Sequence, residues 1–287
     1  MWILLSLASA LFQVLRNAAM KRLGHELDEY INVWGRFVFV LPWALAGCLA
    51  GPWPVLKPGF VGWCLAFGVS QTLATLALSK ALHLSAISFV TPLWKISLVV
   101  LLAMGYAVGE RPSALGIAGV LLSVLGVYLL NVSRARISPW EPLRALVRER
   151  GQRYTLVAAC FYPPAVLTFK QAVVTSDVAT ATFAAYAAAA LVMTPVALVT
   201  SPRHLAAVPR HALAFAALGL FGTLTSLAHG LAYTLSLASY VEAVKQTDIV
   251  FAMLVGLIFF KERESVRQSI PGATVMLAGM ALLALAG

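Results

Sequence analysis

Residues 112–153 read PSALGIAGVLLSVLGVYLLN and then VSRARISPWEPLRALVRERGQR. The first part is a charge-free run of the length that crosses a bilayer core, about 20 residues. The second part is its opposite, a connector with Ser138-Pro139, Glu141-Pro142 and six of the chain's 21 Lys and Arg residues. Working outward, comparable apolar runs fall at about 2–20, 31–50, 60–80 and 86–108 before it, and at 154–174, 179–200, 211–234, 239–260 and 267–286 after it. Lipid cannot hydrogen-bond a backbone, so runs of this length must be helices. The remaining connectors are short and carry turn residues, as in Gly51-Pro52-Trp53-Pro54 and Ser201-Pro202-Arg203. The expected fold is therefore an all-α membrane protein of ten transmembrane helices, divided five and five by the basic connector.

Composition agrees. The 287 residues are 61% hydrophobic and 11% charged, and mean hydropathy is +0.87. Soluble domains carry roughly 25% charged and 45–50% apolar residues. A soluble enzyme, a nucleic-acid-binding domain and a single-pass receptor are excluded. The net charge of +10 gathers in the connector and at the ends of apolar runs, the pattern of topology signals and not of a nucleic-acid groove. Cys48, Cys64 and Cys160 sit inside apolar runs and read as packing residues. Met1-Trp2-Ile3 lacks a basic start, so the first run reads as a retained helix.

The halves resemble each other. Arg16-Asn17-Ala18 ends span one and Lys170-Gln171-Ala172 ends span six; Pro42-Trp43-Ala44-Leu45 in span two is matched by Pro195-Val196-Ala197-Leu198 in span seven. Gly109-Glu110-Arg111 follows span four and Lys261-Glu262-Arg263 follows span nine, while Gly119 and Gly126 are matched by Gly272 and Gly279. The offsets stay between 152 and 154. A colinear series of this kind points to internal duplication, with a first repeat at 1–133, a basic linker at 134–152 and a second repeat at 153–287. Five is odd, so the second repeat would be inverted relative to the first, an architecture of secondary transporters with the substrate site near the midplane.

Lys57 and Arg111 lie on one expected side. Lys21, Arg22, the linker arginines, Arg203, Arg210, Lys261, Arg263 and Arg267 lie on the other. The positive-inside rule places the linker in the cytoplasm and both termini outside.

Ala81-Leu82-His83-Leu84-Ser85-Ala86, Thr91-Pro92-Leu93, Gly109-Glu110-Arg111 and the Gly119/Gly126 helix carry a family resemblance. A looser second set runs from Ala232-Tyr233 through Lys261-Glu262-Arg263 to Gly272 and Gly279. On these residues the chain resembles the drug/metabolite transporter superfamily, of the EamA type with two five-helix repeats. The resemblance implies a ten-helix carrier working by alternating access, with helices of both repeats lining a central cavity. It implies no single substrate, since relatives carry amino acids, nucleotide sugars, sugar phosphates and drugs. Relatives are drawn with cytoplasmic termini, opposite to the charge count. This sequence departs from the pattern in span nine, where Ala243-Val244 stands in place of Thr91-Pro92.

An ionisable group at mid-bilayer costs about 2.5–3.5 kcal/mol and should face a cavity or a partner. Span nine holds Tyr240, Glu242, Lys245, Gln246 and Asp248, whose i,i+3 pairs would make one polar stripe. That stripe either neutralises itself or lines the transport path. Span four carries Lys95 beside Trp94, three residues after Pro92. Two readings follow for it: a Lys95–Asp248 bridge, or Lys95 and Lys245 binding an anionic substrate with Trp94 and Tyr240 as stacking surface. Pro92 would free a carbonyl for contact or hinging. Arg16 and Lys170 read as snorkelling cations, or as gating or substrate-contact residues, and His229 as a hydrogen-bonded helix histidine or a proton relay. Gln71, with Thr72 and Thr75, lines the cavity or bonds across packed helices. Glu110 and Glu262 are expected to cap or orient the helix that follows each. The glycines are packing residues or an oligomer face.

No Walker A, HExxH or aspartate-rich cluster is present, and the histidines lack ligand spacing, so no metal, cofactor or catalytic constellation is expected. Proton coupling would fall to Glu242 or Asp248; counter-solute exchange or uncoupled facilitation are the other possibilities. The sequence thus reads as a transporter of a small anionic or zwitterionic metabolite, with lipid bilayer and solute as partners, in a bacterial inner membrane. A multidrug exporter, a flippase of a lipid-linked substrate, and a membrane enzyme or scaffold are the alternatives.

Overall fold

The computed structural model describes the backbone of every residue except 24, 25, 86, 136, 137, 139, 261, 262 and 287. Side chains are described except at these positions and at 21, 22, 87, 88, 134, 135, 142, 143, 145, 147, 255–260 and 263–266. Ala86, Lys261 and Glu262, and the side chains of Lys21, Arg22 and Arg263, thus lie outside the described residues.

In chain order the helices are α1 (Trp2–Leu23), α2 (Glu29–Val38), α3 (Val40–Leu49), α4 (Phe60–Leu84), α5 (Ile87–Trp94), α6 (Ser97–Gly105) and α7 (Ala114–Ala135). There follow α8 (Glu141–Arg148), α9 (Arg150–Val174), α10 (Val178–Thr200), α11 (Pro202–Ala207), α12 (Ala212–Leu235), α13 (Ala238–Lys245), α14 (Asp248–Phe260) and α15 (Arg263–Ala286). No strand occurs among the described residues. Nine stretches among them are long and apolar enough to cross a membrane: Trp2–Met20, Glu29–Leu49, Phe60–Leu84, Phe89–Val108, Ala114–Ser133, Arg150–Val174, Val178–Thr200, Pro202–Leu235 and Arg267–Ala286. The expected run at 239–260 is not among these nine. It is divided between α13 and α14, and its side chains are described only to Leu254.

The chain forms two compact units that do not coincide with its halves. Unit 1 takes Met1–Leu76 and Pro164–Leu235, and unit 2 takes Ala77–Pro163 and Ser236–Gly287.

In unit 1 two aspartates start spans. Asp28 Oδ1 accepts from Ile31 N at 2.9 Å ahead of α2, and Asp177 Oδ1 accepts from Ala179 N at 2.8 Å ahead of α10. Each satisfies helix-start donors that would otherwise go unpaired. The chain bends at Phe39, between α2 and α3. Pro42 accounts for the bend, because it has no N–H for the carbonyl four residues before it. Thr223 Oγ1 donates to Val40 O at 3.2 Å beside the bend. Tyr186 anchors the aromatic core, its ring 5.5 Å from Phe67 and 6.2 Å from Phe37, and its hydroxyl accepts from Ser226 Oγ at 2.9 Å.

In unit 2, α7 and α15 pack antiparallel through their glycines. Gly119 meets Leu283 and the Gly279 carbonyl, Ser123 meets Gly279, and Gly126 lies against the Met276 backbone. A Cβ on Gly126 would stand 2.2 Å from Met276 N, and one on Gly272 would stand 2.3 Å from Leu130 N. The matched glycines are therefore packing residues inside the unit, where backbone-to-backbone approach replaces the hydrophobic drive that lipid does not supply.

Gly126→Val should push α7 and α15 apart and cost about 1–3 kcal/mol through overpacking. Gly62→Ala on α4, where a Cβ meets open space, should leave stability unchanged or raised. Thermal unfolding of the detergent-solubilised variants checks both.

Candidate functional site

Two of the expected apolar runs, both in unit 2, are interrupted. Span four breaks at Lys95-Ile96, between α5 and α6, and span nine breaks at Gln246-Thr247, between α13 and α14. Both breaks are tight turns closed by i→i+3 bonds: Ile96 N to Leu93 O at 3.1 Å, Leu98 N to Lys95 O at 3.1 Å, and Thr247 N to Val244 O at 3.1 Å. Pro92 lies inside α5, three residues before the first. The second has no proline. Its own side chains take the carbonyls instead, Gln246 Nε2 reaching Glu242 O at 3.3 Å and Thr247 Oγ1 reaching Val244 O at 2.9 Å. The departure at Ala243-Val244 thus does not keep span nine continuous.

The breaks meet each other. Lys95 Nζ donates to Gln246 Oε1, and both residues are buried. Asp248 is not its partner; it opens α14, where a carboxylate is favoured by the helix-start dipole. The Lys95–Asp248 bridge therefore gives way to a Lys95–Gln246 contact.

One turn before the second break, Glu242 is 0% exposed. Lys245 Nζ lies 3.0 Å from its Oε2 and 3.1 Å from its Oε1. Tyr162 of α9 completes the group, its hydroxyl donating to Glu242 Oε2 at 2.9 Å and accepting from Lys245 Nζ at 3.1 Å. Trp94 packs on Tyr162 with ring centroids 4.8 Å apart and planes tilted by 57°. Trp94 and Lys95 thus come from span four, Glu242, Lys245 and Gln246 from span nine, and Tyr162 from span six. Sequence reasoning did not select Tyr162. Its signal is a hydroxyl beside Pro163-Pro164 in the middle of an apolar run.

Tyr240 does not join this group. Its hydroxyl accepts from Ser113 N at 3.1 Å, and its ring tip occupies the space where a Cβ on Gly116 would stand. The stripe divides because Tyr240 projects from α13 toward the start of α7, while Glu242 and Lys245 project toward Tyr162. Glu110 also differs from expectation. Its buried carboxylate does not cap α7; Oε1 accepts from Ala238 N, the first residue of α13, at 2.8 Å. Gly109 makes this possible with a left-handed turn at φ 87°, and Arg111 is held aside on the carbonyls of Tyr106 and Glu110, both at 3.0 Å. The first turn of α13 is therefore clamped twice, by Glu110 below and through Tyr240 to Ser113.

The remaining candidates lie in unit 1. Arg16 is 5% exposed, so its guanidinium does not snorkel; it bonds Asn17 Oδ1 at 3.3 Å and its stem lies against Gly222 of α12. Gln71 Nε2 donates to Thr75 Oγ1 at 2.9 Å, one turn along its own helix. His229 stacks on Tyr233 with centroids 4.6 Å apart, and Lys170 is half-buried on α9. No three His, Cys, Asp or Glu side chains converge as a metal site among the described residues.

Glu110→Ala should cost about 1–3 kcal/mol by leaving the buried Ala238 N–H unpaired. Glu110→Gln keeps an acceptor oxygen and should retain more of the melting temperature, an ordering that thermal unfolding in detergent reads directly.

No curated protein matches the chain. A solved crystal structure, described only as that of a protein, superposes with a TM-score of 0.75 over 99% of this chain and 96% of that one at 14% identity, a likeness of fold alone. Residues 1–132 match the EamA-like transporter family. The chain is an integral multi-pass membrane protein, and the match of its residues 1–132 to the EamA-like transporter family is consistent with the drug/metabolite transporter superfamily.

Proposed function

We propose that this protein is a secondary transporter that moves a small anionic or zwitterionic metabolite by alternating access, without cofactor or catalytic step. One observation carries the reading: among the described residues, the buried Lys95 ammonium is matched by the neutral amide of Gln246 and not by a carboxylate. A buried cation without a counter-charge is costly unless something anionic completes it. Solute is the natural complement, arriving where two helices are interrupted. The neighbouring Glu242–Lys245 pair is self-neutral, and Tyr162 bonded to both members lets it exchange partners with a zwitterion. Trp94 supplies an apolar wall.

The architecture proposed with this function is ten spans in two inverted repeats, 1–133 and 153–287, joined by a cytoplasmic basic linker at 134–152 in a bacterial inner membrane. The breaks at Lys95-Ile96 and Gln246-Thr247 support it, as do the aspartate caps before α2 and α10 and the antiparallel packing of α7 on α15.

A thermal-shift screen of the solubilised protein against anionic, zwitterionic and cationic metabolites tests the reading. A ligand bound only to the folded state at about 100 times its Kd stabilises by roughly 2.7 kcal/mol. Stabilisation by an anion or amino acid, lost with its liposome transport in Lys95→Ala while the unliganded melting temperature holds, is the expected result. Stabilisation by lipophilic cations alone, or transport unchanged in Lys95→Ala, would overturn it.

A further inference from the structure

Unit 1 carries a groove of about 270 Å³ between the end of α1 and the start of α12. The two helices run antiparallel there, as Ser9 Oγ bonding Thr225 O at 3.1 Å and Arg16 lying against Gly222 require. The groove exists because Ala19, Ala214 and Ala217 face it with minimal side chains.

Its two ends differ in chemistry. The apolar stretch Pro202–Leu235 is 34 residues long, about 51 Å as one helix and far more than a hydrocarbon core of about 30 Å. The chain turns at Val208–His211 instead, so α12 makes the crossing and residues before it lie at the water boundary. Arg210, His211 and Glu26 therefore stand at headgroup level, while the 86%-exposed Leu213 and Ala217 reach into the acyl region. The headgroup end carries both signs: Arg210 is exposed, and His211 Nε2 lies 3.6 Å from Glu26 Oε2. Nearby Asp28 is already engaged by Ile31 N and by His204 Nδ1 at 3.1 Å, which leaves Glu26, 59% exposed, as the acid that faces the groove among the described residues.

We propose that this groove seats a phospholipid with a primary-amine headgroup, its phosphate on Arg210 and His211, its ammonium on Glu26, and its first methylenes along the three alanines. Arg supplies the forked donors that phosphate oxygens accept. Glu26 sets the choice of headgroup. It repels a purely anionic lipid and needs N–H donors that a trimethylammonium lacks.

The test is stabilisation of the solubilised full chain by phosphatidylethanolamine, phosphatidylcholine or phosphatidylglycerol added singly, with retained lipid counted by native mass spectrometry. Wild type should favour the ethanolamine lipid over both others. Arg210→Ala should weaken its apparent affinity roughly tenfold, and Glu26→Gln should abolish its advantage over the glycerol lipid while leaving the latter bound. Both side chains are exposed or rim-placed, so lipid-free melting temperatures should match wild type and separate lost binding from lost folding. Equal effects of the three lipids, a glycerol lipid that outperforms the ethanolamine lipid in wild type, or an ethanolamine preference that survives both substitutions would overturn the proposal.

Discussion

A bilayer interior offers the backbone no hydrogen-bond partner, so every interruption of a crossing helix has to be completed by the protein itself. The structure meets that demand at each interruption with a different device. At Phe39, Thr223 reaches across from α12 to Val40 O. At Lys95-Ile96 the turn tightens and closes on itself. At Gln246-Thr247 the two side chains of the break bond the carbonyls immediately upstream. The buried charges Lys95, Glu242 and Lys245 lie at or within about one turn of the two breaks of unit 2, where irregular backbone and polar side chains solve the same solvation problem together.

Energetics separates the two cations there. Bringing an ion pair out of water costs several kcal/mol per ion, and mutual attraction repays this only when the remaining lone pairs and protons are also bonded. Glu242 and Lys245 meet that condition through two short contacts and the Tyr162 hydroxyl between them. Among the described residues, Lys95 has only an amide oxygen. A fold selected for stability alone would place a methionine or leucine at that position, and this asymmetry underlies reading Lys95 as a solute contact and not as scaffold.

Much of this was legible in the sequence, in proportion to how local the cause was. Apolar runs announce helices because lipid demands them, and isolated charges such as Lys95, Glu242 and Lys245 stand out against such a background. Helical periodicity misassigned Tyr240, because rotation along α13 turns its ring to α7 while Glu242 faces Tyr162. Glu110 looked like a cap for its neighbour in sequence, yet its acceptor serves Ala238, 128 residues away. Arg16 looked like a headgroup anchor because its burial depends on α12, which no local pattern reveals. Tyr162 passed unnoticed because an aromatic residue in an apolar run is ordinarily packing.

The interleaving of the units has a consequence for how the protein is made. Unit 1 joins Met1–Leu76 to Pro164–Leu235, so the ribosome must pass Leu235 before that unit can close. At about 5–20 residues per second, Arg16 waits on the order of 10–40 s in an unfinished assembly before Gly222 and its helix arrive to bury it. The first helices to enter the membrane must therefore persist as soluble-in-lipid but incomplete pieces. Biogenesis, as much as the finished protein, constrains how polar they can be.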